Sequence, residues 1–326
     1  MHSHTLLAKL LLVCTALMSL STPAAAQSPS PKNITIIVPY ATGGATDIVA
    51  RLVAQQLGGR LGTPVIVENR QGGGGVVGWN SAARANPDGN TLLAMEMSYS
   101  ISAGLTPNLP YDPKTAFVPI NTAVSVGHVL VINPGVPAKN IKELIALAKA
   151  EPGKLNFGSG GTGTNTHLGS ELLKAKLGIS MTHVPYRGAG AVLADLMAGQ
   201  VQVLVSAVST ALPLVQGGKL RALMMMSDKR SDVLPDVPTA AEEGFPGLEM
   251  NYWVGFAAPK GTPQDVVNKL NHEINSGLLT PESLKRLKEM AFVPVANTPA
   301  QAAQLLDSEI ARWSELIKQQ NIKAEQ

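Results

Sequence analysis

The strongest constraint on this chain is a pattern that occurs twice: an apolar strand, a loop of Gly, Ser and Thr, then an amphipathic helix. It first appears as Ile36-Ile37-Val38-Pro39-Tyr40-Ala41-Thr42-Gly43-Gly44-Ala45-Thr46-Asp47. It returns as Leu155-Asn156-Phe157-Gly158-Ser159-Gly160-Gly161-Thr162-Gly163-Thr164-Asn165-Thr166. Such a loop sets unpaired backbone N–H groups and small hydroxyls at a helix N-terminus, where the helix dipole favours an anion. Two of them in separate lobes predict a clamp that holds a small anion between them.

Strand and helix patterns alternate from residue 33 onward, which predicts an α/β fold with largely parallel sheets. Strands are expected over 34–39, 64–68, 91–95, 124–132, 181–185, 201–205, 220–226 and 251–258. Helices are expected over 46–57, 77–85, 138–150, 166–177, 191–198, 263–278, 281–290 and 299–320. Residues 107–119, rich in proline, read as irregular surface, and 232–246 as turns. The apolar strands at 124–132 and 251–258 read as two crossings between lobes. Lobe 1 then comprises 27–125 and 253–326, and lobe 2 comprises 126–252. Ligands in such folds sit in the interdomain cleft, near the C-terminal ends of strands, and both Gly/Thr loops lie at strand ends.

Residues 1–26 read as a secretory signal: Lys9, an uncharged apolar run over 10–20, then Ala24-Ala25-Ala26. The run is too short for a membrane span. Cys14 is the only cysteine of the chain and falls in this segment, which excludes disulfides and thiolate chemistry from the mature protein. The formal net charge is +3, and no cluster of Lys and Arg with interleaved aromatics occurs, so nucleic acid is excluded as a partner. Aromatic content of 4% disfavours a sugar cleft. No His/acid spacing suggests a metal, and no cofactor is expected.

Gly158-Ser159-Gly160-Gly161-Thr162-Gly163 fits a dinucleotide fingerprint, but the following strand ends in Tyr186-Arg187 rather than in the acid that would hold a ribose. The glycine run 72–75 lacks the lysine and hydroxyl of a P-loop and reads as a turn. A rival class is a secreted hydrolase acting on a small carboxylate ester or amide. His167 follows the second loop closely enough to serve Ser159 as a base, yet no nucleophile elbow is present.

At the first loop, continuing to Ala50-Arg51, the chain resembles the Bug/TctC family of extracytoplasmic binding proteins of tripartite tricarboxylate transporters. The likeness continues through Val67-Glu68-Asn69-Arg70, Asn86-Pro87-Asp88-Gly89 and Leu109-Pro110-Tyr111-Asp112-Pro113. It runs on through the second loop, Val184-Pro185-Tyr186-Arg187-Gly188 and Leu234-Pro235-Asp236-Val237-Pro238-Thr239. The resemblance implies a periplasmic, monomeric Venus-flytrap protein, type II-like, with two α/β lobes that close on a small organic carboxylate. Its partners would be the membrane subunits of a transporter.

Carried over by position, the first contact loop is Tyr40, Ala41, Thr42, Gly43, Gly44, Thr46 and Asp47. The second contains Ser159, Gly160, Thr162, Gly163 and Thr164, with Tyr186 and Arg187 at the next strand end. Asp47 fits two roles equally, touching ligand-bound water or organising its own loop. Arg187 fits a bidentate carboxylate contact or a structural ion pair. Ser206 stands where the family usually has an acid, so no preference for amino acids is expected. Met95-Glu96-Met97-Ser98 also departs from the small and hydroxyl residues usual there. Citrate-like, dicarboxylic and aromatic monocarboxylic acids all fit this reading.

Overall fold

The computed structural model describes residues 33–106 and 108–319. The expected signal segment, 1–26, lies outside the described residues. β1 (Ile34–Val38) is a run of β-branched residues, nearly all buried, that pairs in parallel with β2 (Val65–Asn69) and β3 (Thr91–Glu96). Between β1 and β2 runs α1 (Ala45–Leu61), which buries Val49, Leu52, Val53 and Leu57. A 3₁₀ turn, Gly73–Gly75, leads into α2 (Val76–Ala83). β3 passes directly into α3 (Met97–Leu105).

β4 (Phe117–Ile132) is one long strand that belongs to both sheets. Its first part, Phe117 to Gly127, pairs antiparallel with β9 (Asn251–Pro259), and β9 pairs with β3. Its last part, His128 to Ile132, pairs antiparallel with β7 (Val203–Ala207) and β8 (Arg221–Met226). The second sheet is completed by β5 (Asn156–Ser159), parallel to β7 and to β6 (Thr182–Pro185). The strand order is β2-β1-β3-β9-β4-β7-β5-β6, with β8 and the short β10 (Val293–Pro294) also on β4. Parallel strands thus form the outer part of each sheet, and β4, antiparallel to its neighbours, belongs to both.

Between β4 and β9 in the chain come the helices α4 (Ile141–Ala150), α5 (Asn165–Leu177), α6 (Ala189–Ala198) and α7 (Val208–Gln216). α8 (Gln264–Leu278), α9 (Pro281–Glu289) and α10 (Pro299–Gln319) follow β9. Among the described residues no helix is long and apolar enough to cross a membrane.

Four elements differ from the sequence expectation, the two-residue β10 among them because it falls where no strand is expected. β4 begins at Phe117, not 124, because register shifts beside Pro119 and Thr122 let a proline-containing segment stay in the ladder. α3 was expected as no element. It buries Met97, Ser98, Tyr99, Ser100, Ile101 and Ser102 in succession, so it lacks the one-sided apolar period that marks a helix. α7 was likewise unforeseen: Val208 to Leu212 are all buried and Pro213 interrupts the pattern.

Candidate functional site

The first Gly/Thr loop packs on residues 187–190, which follow the strand beside the second loop. The Ala41 N–H of the first donates to the Arg187 carbonyl beyond the second, at 3.0 Å. Small residues make this approach possible. A Cβ on Gly190 would stand 2.5 Å from the Thr42 carbonyl oxygen, and one on Gly74 would collide with the Thr162 carbonyl. Gly74 also has φ +63, a conformation that L side chains rarely adopt.

The first loop is anchored by charge. The Asp47 carboxylate accepts from the Gly43 N–H (3.0 Å), from Arg51 Nε and Nη2 (both 2.9 Å) and from Asn69 Nδ2 (2.9 Å). Burial pushes this carboxyl up, but the Arg51 and Asn69 hydrogen bonds, the Gly43 N–H and the Arg51 charge together hold it below the usual range. Of the two roles open to Asp47, these contacts describe the organiser of its own loop. Thr42 and Gly43 are exposed, whereas Thr46 is buried with Oγ1 2.7 Å from the Tyr252 hydroxyl.

The second loop is anchored by neutral groups and is almost wholly buried. Thr164 caps α5, accepting from the His167 N–H, and its hydroxyl donates to the Gly161 carbonyl at 2.7 Å. Thr166 Oγ1 accepts from the Gly160 N–H at 2.8 Å, and His167 Nδ1 accepts from the Gly163 N–H at 3.3 Å. Ser159 Oγ lies 2.6 Å from His183 Nε2 and accepts from the Gly161 N–H. The partner of Ser159 is therefore His183, not His167, which stacks on His183 with centroids 4.2 Å apart. A serine nucleophile must reach substrate, and Ser159 is fully buried with its hydroxyl already engaged. Burial, reinforced by the charges of His183 and Lys174, lowers the His167 pKa to about 3.

Between the loops lies a buried polar cluster that sequence reasoning did not assemble. Glu96, fully buried, caps α3; its Oε1 accepts from the Tyr40 hydroxyl at 2.5 Å, and Oε2 from the Ser98 N–H at 2.7 Å and Asn165 Nδ2 at 3.3 Å. The Asn165 N–H, at the start of α5, donates to Ser98 Oγ at 2.9 Å. Burial raises the Glu96 carboxyl above its ordinary range, against the opposing hydrogen bonds from Ser98, Tyr40 and Tyr252. Tyr40 and Tyr252 are both pushed well up, by burial first and then by the Glu96 charge. His128, from the crossing strand, is also fully buried: Nδ1 lies 3.1 Å from the Met250 carbonyl oxygen, and Nε2 makes no hydrogen bond among the described residues.

The remaining expected residues have partners of their own. Tyr186 donates its hydroxyl to Asp195 at 2.6 Å. Arg187 is exposed, and its carbonyl rather than its guanidinium makes the interlobe contact. Ser206 is buried on β7, with its hydroxyl 3.2 Å from the Ala207 carbonyl oxygen. A buried acid, Glu96 at the end of β3, stands elsewhere than the position where Ser206 replaces the acid usual in the family. The one advance signal for it was the unusual Met95-Glu96-Met97-Ser98 stretch. The N-termini of α1 and α7 have no side-chain cap, and Ser209 Oγ and Thr210 Oγ1 of α7 are buried without a partner among the described residues. Their backbone donors suit an anion.

Comparisons with known proteins bear on this geometry. Residues 49–322 match the family described as the tripartite tricarboxylate transporter family receptor. The periplasmic binding protein BugD shares 34% identity, covers 91% of this chain and 100% of its own, and superposes with a TM-score of 0.87. MatC from Rhodopseudomonas palustris, with bound malate, shares 33% identity over 88% of this chain and 100% of its own, with a TM-score of 0.85. An R. palustris protein with adipate shares 31% identity over 90% of this chain and 99% of its own, with a TM-score of 0.87.

Proposed function

The chain belongs to the tripartite tricarboxylate transporter receptor family, and from that premise we propose that it captures a small organic carboxylate between its two lobes for such a transporter. The observation that carries the reading is the convergence of two anion-suited loops, one after a strand of each sheet, on Glu96, which Tyr40 of the first and Asn165 of the second both bond. The malate and adipate bound by its solved relatives support the same ligand class. BugD is a periplasmic binding protein, and we place this chain in the periplasm too, as a monomer freed of residues 1–26.

In this reading lobe 1 is 27–125 with 253–326, lobe 2 is 126–252, and the hinge lies where β4 and β9 pass between them. Ligand binding favours the closed state because only that state offers donors from both lobes at once. Hydrogen bonds to a charged group contribute roughly 1.5–3 kcal/mol each, so a few of them support micromolar affinity. The protein binds and releases its ligand unchanged. A thermal-shift screen of the chain from Gln27 against carboxylates, amino acids, sugars and nucleotides tests this. Selective stabilisation by carboxylates is expected; stabilisation by sugars or nucleotides alone contradicts it.

A further inference from the structure

The point where the two lobes converge already holds a carboxylate, and it is the protein's own. Glu96 ends β3 in one lobe, yet its donors come from both. Tyr40 reaches it from the first loop, the Ser98 N–H and hydroxyl from the first turn of α3 (2.7 and 3.1 Å), and Asn165 Nδ2 from the N-terminus of α5 in the other lobe. These are the donor types that recognise a ligand carboxylate: a helix-terminal amide, hydroxyls and a side-chain amide. A carboxylate offers about four lone-pair positions, so this donor set is spent on Glu96. None of the salt bridges among the described residues involves Glu96. Nothing cationic therefore offsets a second negative charge brought close to it in this buried setting.

We infer that Glu96 determines specificity by occupying the seat of a second carboxylate, so that the cleft takes ligands with a single carboxylate and refuses the matching dicarboxylates. This rests on the reading of the cleft as a carboxylate-binding site and narrows it. It sets this chain apart from the relatives solved with malate and adipate. The donors left for the ligand stand around Tyr252, whose hydroxyl bonds Thr46 of α1 and whose ring packs edge-on against His128, the partner of Ala207 just before α7; neither α1 nor α7 has a side-chain cap.

The test is calorimetric titration at neutral pH with succinate, malate and adipate, each beside its own monoamide, which keeps the shape and removes one charge. The wild-type chain is expected to bind at least one monoamide about tenfold or more tightly than its diacid. Glu96→Gln keeps the side-chain volume and most of the hydrogen bonding, and is expected to shrink that preference about tenfold or reverse it. A wild-type chain that binds a diacid as tightly as its monoamide, or a preference unchanged in Glu96→Gln, overturns the inference while leaving carboxylate capture intact. Absence of binding by every acid and monoamide overturns both.

Discussion

The two Gly/Thr loops look alike in sequence and are held in opposite ways. The loop after β1 leaves Thr42 and Gly43 exposed and is tied down by an ionised Asp47, gripped by Arg51 and Asn69. The loop after β5 is buried, and neutral groups hold it: Thr164 and Thr166 hydroxyls, Ser159 against His183, and His167 under the Gly163 N–H. The first can therefore move with solvent on one side, whereas the second is part of its lobe's interior. One face of the clamp is fixed by charge and the other by burial. The difference teaches that a loop pattern predicts what the backbone offers, not what keeps it in place.

The contrast can be broken most forcefully where the first loop packs against the start of α6. Gly190→Val places atoms against the Thr42 carbonyl, so the lobes cannot close fully. Affinity for whichever acid stabilises the wild-type protein should fall about a hundredfold or more. Stability should change far less, because lobe 2 keeps its own packing; calorimetric titration and chemical denaturation on the same variant read both.

Next come the two anchors. Asp47→Ala removes the carboxylate that Arg51, Asn69 and the Gly43 N–H share, and should cost about 2 kcal/mol of stability, discounted because Arg51 is half exposed. Ser159→Ala leaves the buried Gly161 N–H without its acceptor and should cost about 1–3 kcal/mol. Urea unfolding measures both, and only the Asp47 effect should shrink in high salt.

Acid should separate the loops as well. His167 has a folded pKa of about 3, below its unfolded value near 6.5, so the unfolded chain takes up the proton first. Its contribution is complete above about pH 6.5 and declines as pH falls towards 3. Asp47 is also held below its unfolded value, so its contribution is complete above the ordinary carboxylate range and is lost only as pH falls through its lower folded pKa. Between pH 6 and 5, amide exchange corrected for intrinsic rate should therefore quicken around 159–167 before it quickens around 41–47. The reverse order would refute the assignment of charge to one loop and neutrality to the other.

The smallest effect concerns two threonines, one from each loop. Thr164→Ala should cost about 1 kcal/mol as a lost helix cap, while Thr42→Ala should leave the melting temperature nearly unchanged because Thr42 is exposed.

The sequence disclosed most of this fold because amphipathic helices and β-branched strands announce themselves. It concealed α3 and α7, whose buried surfaces leave no apolar stripe to read. The loops were legible for the same local reason, and Asp47 with Arg51 one helical turn on was a readable pair. Glu96, Ser98, Asn165, Tyr252 and His128 were not, since they come from β3, α3, α5, β9 and β4 and meet only when both lobes are folded. Glu96 alone left a trace, as an acid standing where small residues are usual.

The measurement that tests the clamp most directly is hydrogen–deuterium exchange of the chain from Gln27, with and without the carboxylate that stabilises it best. The account predicts slower exchange in both lobes together, around 41–47 and 96–98 in one and around 159–167 and 206–210 in the other. Protection confined to a single lobe, or no protection at these segments, would contradict it.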